Sequence, residues 1–227
     1  MFDEQLRGCK DRVISPLLWL TVRLRISPTA VTVYGLMTGL AAAVVAGAGL
    51  WGVALILWIL NRVLDGVDGA LARRTGRCGD TGGYLDILAD FAVYAALPLG
   101  IAVGADGHDP TASVVPIESV WPAVAVLLAS CYVNAASWMY LAAVLEKRAA
   151  VEHNEPASAR RTAVVMPKGI VEGAETIAFY TAALLVPRHA ALLFWILAAL
   201  VLLTAVQRLS WWLRSAAGSR RSSGLPV

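Results

Sequence analysis

Residues 51–104 read WGVALILWILNRVLDGVDGALARRTGRCGDTGGYLDILADFAVYAALPLGIAVG, two apolar runs joined by a glycine-rich polar break at 76–83. Each run carries two carboxylates near the break: Asp65 and Asp68 before it, Asp86 and Asp90 after it. A helix that crosses a bilayer needs about 20 predominantly apolar residues, and each run has that length. The rest of the chain follows suit. Of its 227 residues 58% are apolar or aromatic and 15% charged, against roughly 45–50% and about 25% in a soluble domain. That excludes a water-soluble globule, and the same figures exclude disorder. Three cysteines, Cys9, Cys78 and Cys131, are too few and odd in number for a disulfide-stapled secreted domain. A multispan membrane protein remains.

Working outward, the apolar runs predict six transmembrane helices, at about 28–48, 51–72, 83–104, 119–145, 170–187 and 190–213. Before them, Phe2, Leu6, Val13, Leu17, Leu20 and Leu24 recur at roughly helical spacing among Asp3, Glu4, Arg7, Lys10, Asp11 and Arg12. This reads as an amphipathic helix on the membrane surface, with Pro16 as a kink or break, rather than as a cleavable signal. The fold class is therefore an all-α integral membrane protein with three parts. These are an amphipathic juxtamembrane helix over 1–26, a six-helix membrane domain over 27–214 and a flexible cytoplasmic tail over 215–227.

The net charge of +3 reports topology, because the basic residues sit in short loops rather than on one face of a domain; no nucleic-acid partner is expected. Arg7 to Arg25, then Arg73, Arg74 and Arg77, then Lys147, Arg148, Arg160, Arg161 and Lys168, and finally Arg208 to Arg221 fall on one side, while the opposite turns hold only Arg188. Both termini are then cytoplasmic, in agreement with an even number of spans.

Carboxylates inside apolar helices are expensive and are functional candidates by default. Asp65 and Asp68 are spaced i, i+3, and Asp86 and Asp90 i, i+4, so each pair occupies one helix face. A short hairpin can bring the four together at the cytoplasmic side. Converging carboxylates repel one another strongly in a low dielectric unless they are protonated or bound to cations. Oxygen ligands without a His or Cys partner favour Mg²⁺, Mn²⁺ or Ca²⁺ over zinc. Gly69 and Ala72 share the face of Asp65 and Asp68, and Gly82 lies one turn before Asp86; such small residues let a ligand or another backbone approach.

Read in order, Asp65-x-x-Asp68-Gly69-x-x-Ala72-Arg73, eight residues, Gly82-x-x-x-Asp86-x-x-x-Asp90 resembles the signature of the CDP-alcohol phosphotransferase (CDP-alcohol phosphatidyltransferase) family at all eight fixed positions. With each residue type at about 5–8% abundance, a chance match at a given start is on the order of 10⁻¹⁰. Ser27-Pro28-Thr29-Ala30-Val31-Thr32 also resembles the family's start of its first span, with Thr29 where Asn is usual.

The resemblance implies six spans, a cytoplasm-facing site, a homodimer in a bacterial cytoplasmic membrane, and transfer of a phosphate-bearing group from a CDP-linked lipid to an alcohol with loss of CMP. It assigns Asp65, Asp68 and Asp86 as ligands of two Mg²⁺ or Mn²⁺ ions and Asp90 as the general base. Asp90 as a further metal ligand stays open. Asp65, Asp68, Gly69, Ala72, Arg73 and Gly82 would form the nucleotide site, and a planar guanidinium at Arg73 suits phosphate oxygens. The preferred reaction moves a phosphatidyl group from CDP-diacylglycerol to a small polar alcohol. The alternatives are a CDP-choline or CDP-ethanolamine donor with diacylglycerol as acceptor, and a divalent-cation transporter without enzymatic activity.

A second polar cluster opens the fifth span. Lys168, Gly169, Glu172, Glu175 and Thr176 read either as an acceptor pocket or as residues that sit at the water interface or pair with Arg160 and Arg161. Asn134 in the fourth span and Arg208 in the sixth read as interhelical hydrogen-bonding partners.

Overall fold

The computed structural model describes residues 15–108, 119–153 and 169–222, and all its regular structure is helical. In chain order the helices are α1 (15–23), α2 (Pro28–Gly47), α3 (Trp51–Thr75), α4 (Asp80–His108), α5 (Val120–His153), α6 (Gly173–Leu185) and α7 (Ala190–Ser222), with one 3₁₀ turn at Pro187–His189 before α7. Phe2, Leu6, Val13 and the charged residues among them, like Lys168, lie outside the described residues.

The local signals are chemical. Ser27 caps α2 by accepting a hydrogen bond from Ala30 N at 3.2 Å, and Pro28 occupies the first helical position, where a missing N–H costs nothing. Helix α3 ends with Arg73 and Arg74 in its last turn, where cations complement the helix dipole. Gly76 then adopts φ +66°, a left-handed conformation that glycine reaches without steric cost, and the chain reverses into α4.

Four helical segments are long and apolar enough to cross a membrane: Pro28–Gly47, Asp80–Asp106, Val120–Arg148 and Pro187–Ser215. The other two segments read as spans are helical, but differ in kind. Helix α3 has 25 residues, yet its second half carries Arg62, Asp65, Asp68, Arg73 and Arg74. Helix α6 has 13 residues, which at ~1.5 Å per residue reach about 20 Å, short of the ~30 Å hydrocarbon core. The expected fifth span is shortened at its start because residues 169–172 leave the helix. Helix α7 continues past the end of the apolar run as far as Ser222.

The chain divides into two compact units. The first comprises Met1–Val124 with Ile177–Leu193. Within it α2 packs on both α3 and α4, and small residues set how closely. Gly35, Gly39, Ala42, Ala43 and Ala46 form the buried face of α2. A Cβ at Gly100 would collide with the backbone of Ala43, one at Gly104 with the backbone of Ala46, and one at Gly39 would lie 2.5 Å from Val93 Cγ2. Dispersion between closely approaching backbones drives such packing where no hydrophobic effect separates helix from lipid. Around this seam Trp58, Val67, Leu71, Val93, Leu97, Ile101 and Tyr180 are fully buried. Leu17, Leu18 and Ile26 pack against Val31, Val67 and Leu71, tying α1 and the turn after it to the helix that bears Asp65 and Asp68.

The second unit comprises Ala125–Thr176 with Phe194–Val227. Its core includes Leu127, Phe194, Leu197 and Val201. Arg208 Nη1 on α7 donates to Asn134 Oδ1 on α5 at 2.6 Å, the interhelical role read from the sequence. Val171 N donates to Thr204 Oγ1 at 3.0 Å, and Gly169 approaches α7 so closely that a Cβ there would lie 2.6 Å from Thr204 Cγ2.

Gly100→Ala must displace backbone at the α2–α4 seam and is expected to destabilise by about 1–3 kcal/mol. Gly52→Ala, where a Cβ meets nothing within 4 Å, is the control. Thermal unfolding in detergent checks this: a lower Tm for the first and an unchanged or higher Tm for the second is the expected result.

Candidate active site

Three helices of the first unit build the site. Asp65 and Asp68 come from α3, Asp86 and Asp90 from α4, and α2 supplies Thr32 and Gly35. All six line one small pocket together with Leu36, Asn61, Arg62 and Ala89. The four carboxylates that the sequence placed on two helix faces thus share a pocket. Its volume of about 10 Å³ is far too small for a nucleotide.

Beside it lies a larger groove of about 490 Å³, within the range of ligand sites. Thr32, Asp68 and Asp86 line both. The groove is completed by Ser27, Pro28 and Thr29 at the start of α2, by Gly69, Ala72 and Arg73 on α3, and by Arg77, Cys78, Gly79, Thr81, Gly82 and Gly83 around the turn into α4. Every motif position except Asp65 and Asp90 faces this groove. The glycines keep its walls open, and Arg73 and Arg77 give it positive charge. Thr29, the departure from the usual Asn, is part of the wall.

Specific contacts hold the acids. Thr32 Oγ1 donates to Asp68 Oδ2 at 2.7 Å, and Asp68 is 4% exposed. Arg62 Nη2 donates to Asp90 Oδ1 at 2.8 Å, and Arg62 Nη1 lies 3.8 Å from Asp65 Oδ2. Asn61 is also buried, and its Nδ2 donates to Gly35 O at 2.8 Å, fixing α3 to α2 at the level of the pocket. One guanidinium stands against four carboxylates. Like charges ~4 Å apart repel by about 4 kcal/mol at an effective dielectric near 20, so a single Arg leaves the cluster strongly cation-seeking. The all-oxygen donor set fits a hard divalent ion. No group of three or more His, Cys, Asp or Glu among the described residues is already closed around a metal position; the fit is one of donor chemistry and shared pocket.

Asn61 and Arg62, which line the pocket, are not singled out by the sequence analysis. The signal was present, since Asn61 and Arg62 interrupt an apolar run as the aspartates do, and an intramembrane polar group invites the same question. Arg62 precedes Asp65 by three residues, one helical turn away on the same face.

The second cluster has local partners. Glu172 precedes the first residue of α6, and its N–H donates to Glu175 Oε2 at 2.9 Å, half of a capping box. Gly169 N donates to Glu172 Oε1 at 3.2 Å, and Thr176 Oγ1 donates to Glu172 O at 3.1 Å. These contacts account for Glu172, Glu175 and Thr176 as the start of a helix.

The family model for CDP-alcohol phosphatidyltransferase matches residues 25–207. The chain belongs to this family. It is accordingly a membrane enzyme, a transferase of phospholipid synthesis, as the eight-position motif implied. This family member is 33% identical over 199 residues to the inner membrane protein YnjF of Escherichia coli (strain K12), covering 86% of the chain and 89% of YnjF. It is 32% identical over 116 residues to the phosphatidylinositol phosphate synthase of Streptomyces avermitilis, covering 48% of the chain and 46% of that protein. The structure of Mycobacterium tuberculosis phosphatidylinositol phosphate synthase (PgsA1) with CDP-DAG bound matches with TM-score 0.65 at 22% identity, over 88% of this chain and 92% of that one. The same protein in complex with manganese and citrate gives TM-score 0.64 at 23% identity over 87% of each. At these identities the two structures establish a shared fold.

Thr32→Val keeps the shape of the side chain and removes the donor to Asp68. Stranding a buried acceptor costs about 1–3 kcal/mol, so a lower Tm in detergent at neutral pH is expected. Thr32→Ser, which retains the hydroxyl, is expected to stay near wild type.

Proposed function

We propose that the chain transfers the phosphatidyl group of CDP-diacylglycerol to a small polar alcohol with release of CMP. The observation that carries this reading is the pairing of a four-carboxylate pocket with a 490 Å³ groove through the shared residues Thr32, Asp68 and Asp86. A cytidine diphosphate in the groove would present its phosphates to the acids, with Arg73 on phosphate oxygens and Gly69, Ala72 and Gly82 leaving room for it.

Asp65, Asp68 and Asp86 would hold two Mg²⁺ or Mn²⁺ ions, and such a pair supplies neutralisation of the diphosphate and stabilisation of the CMP leaving group. Asp90 takes the proton of the acceptor hydroxyl. The acceptor oxygen bonds to the lipid-bearing phosphorus as the bond from that phosphorus to the CMP phosphate oxygen breaks. No covalent enzyme intermediate is needed. Thr32 orients Asp68 through one carboxylate oxygen. Lys168, Glu172, Glu175 and Thr176 are the acceptor-binding candidates of this reading.

The six-span membrane domain, the N-terminal surface helix, the cytoplasmic termini and the homodimer belong to the same reading. Its support is the pattern of basic loops and the resemblance. Helix α3 then crosses the membrane in company, with its charged half facing the pocket rather than lipid.

CMP release by the purified protein in detergent, with CDP-diacylglycerol, Mg²⁺ or Mn²⁺ and a panel of serine, glycerol 3-phosphate and inositol phosphate, tests the reading. Acceptor-dependent release is expected, abolished by EDTA and reduced about 10²–10⁴-fold by Asp90→Asn, the usual worth of a general base. Unchanged release in Asp90→Asn would overturn the base, and cation flux in vesicles without CMP release would favour a transporter.

A further inference from the structure

Arg62 has a place in this site that the signature does not include. Its side chain is 10% exposed, and each part of the guanidinium has a partner. Nε donates to Asn61 Oδ1 at 2.8 Å, Nη1 to the Tyr94 hydroxyl at 2.9 Å and Nη2 to Asp90 Oδ1 at 2.8 Å. The Arg62 Cζ lies 4.9 Å from the Trp58 ring centre and 5.0 Å from that of Tyr94, cation–π distances from two sides.

The partners are themselves fixed. Trp58 Nε1 donates to Thr181 Oγ1 at 3.0 Å, and the Tyr180 hydroxyl donates to Tyr94 O at 2.9 Å. The rings of Trp58, Tyr94 and Tyr180 pack on one another with centres 5.9–6.1 Å apart. Asn61 is tied to Gly35 on α2. An aromatic and amide frame thus sets one rotamer for a long side chain whose end grips one oxygen of Asp90.

We propose that Arg62 is a positioning residue for the reaction: held by Asn61, Trp58 and Tyr94, it fixes Asp90 through Oδ1 so that Oδ2 is the oxygen that receives the acceptor proton. This rests on the reading of Asp90 as the base. Among the described residues Asp90 Oδ2 makes no hydrogen bond, whereas Oδ1 is taken by a charge-assisted one, which is strong and directional. A lysine would keep the positive charge but not the planar fork that serves Asn61, Tyr94 and Asp90 at once.

The test is steady-state CMP release from CDP-diacylglycerol by Arg62→Lys and Arg62→Gln, with the best acceptor among serine, glycerol 3-phosphate and inositol phosphate and with Tm measured in parallel. A misplacement of about 1 Å costs roughly 10²-fold, so kcat is expected to fall about 10- to 100-fold in both variants. The KM for CDP-diacylglycerol should stay within about twofold, since uniform binding is untouched. If Arg62→Gln does not fold, Arg62→Lys carries the test. Wild-type kcat in Arg62→Lys overturns the proposal, as does a raised donor KM with unchanged kcat, which would make Arg62 a direct donor contact. Asp90→Asn assayed alongside separates the two claims. Full turnover there, or none by the wild type with any of these acceptors, removes the underlying reading. Lost turnover in Asp90→Asn beside full turnover in Arg62→Lys overturns only the role of Arg62.

Discussion

Four carboxylates in one pocket between apolar helices are the constraint to which the rest of the first unit answers. Their charge cannot be left unpaired in a low dielectric, and the protein supplies only partial relief: a hydroxyl for Asp68 and one guanidinium for Asp90 and Asp65. Holding the acids near one another while leaving them deficient in positive charge is a property of rigid packing. The rigidity comes from glycine and alanine. Helix α2 meets α4 at Gly39, Gly100 and Gly104 so closely that side chains of any size would push the helices apart. The same helix then supplies Thr32 and the carbonyl of Gly35 to the pocket on α3.

Much of this was legible in the sequence because the governing signals are local. Composition and run length gave a helical membrane protein, Ser27-Pro28 gave the start of α2, and the i, i+3 and i, i+4 spacings gave two acidic helix faces. The glycine-rich break gave the reversal at Gly76, and the motif gave the family. What was not legible depends on contacts distant in the chain. Nothing local says that Tyr180 and Thr181 on α6 buttress Trp58 and Tyr94, or that Arg62 bonds a carboxylate 28 residues further on. Nor does the apolar run that opens near residue 170 reveal that Gly169 and Val171 are drawn against Thr204, so that α6 begins only at Gly173, with Glu175 accepting from the Glu172 N–H.

The division of labour between two adjoining cavities gives the function its physical logic. A pocket of about 10 Å³ can take a small ion but no nucleotide, and a groove of about 490 Å³ can take a nucleotide. Asp68 and Asp86 border both, so in the proposed reaction cations held at the acids would stand next to the phosphates of a nucleotide in the groove. Asp90, held by Arg62, lines the small pocket and not the groove that Gly69, Ala72 and Arg73 line.

The central claim is that this acid cluster holds divalent ions, and counting them tests it most directly. Electron paramagnetic resonance titration of Mn²⁺ into the purified protein with cytidine diphosphate present is predicted to show about two bound ions per chain, lost in the Asp65→Asn, Asp86→Asn double variant. Mn²⁺ binding that is absent in the wild type, or equally strong in the double variant, would contradict the account.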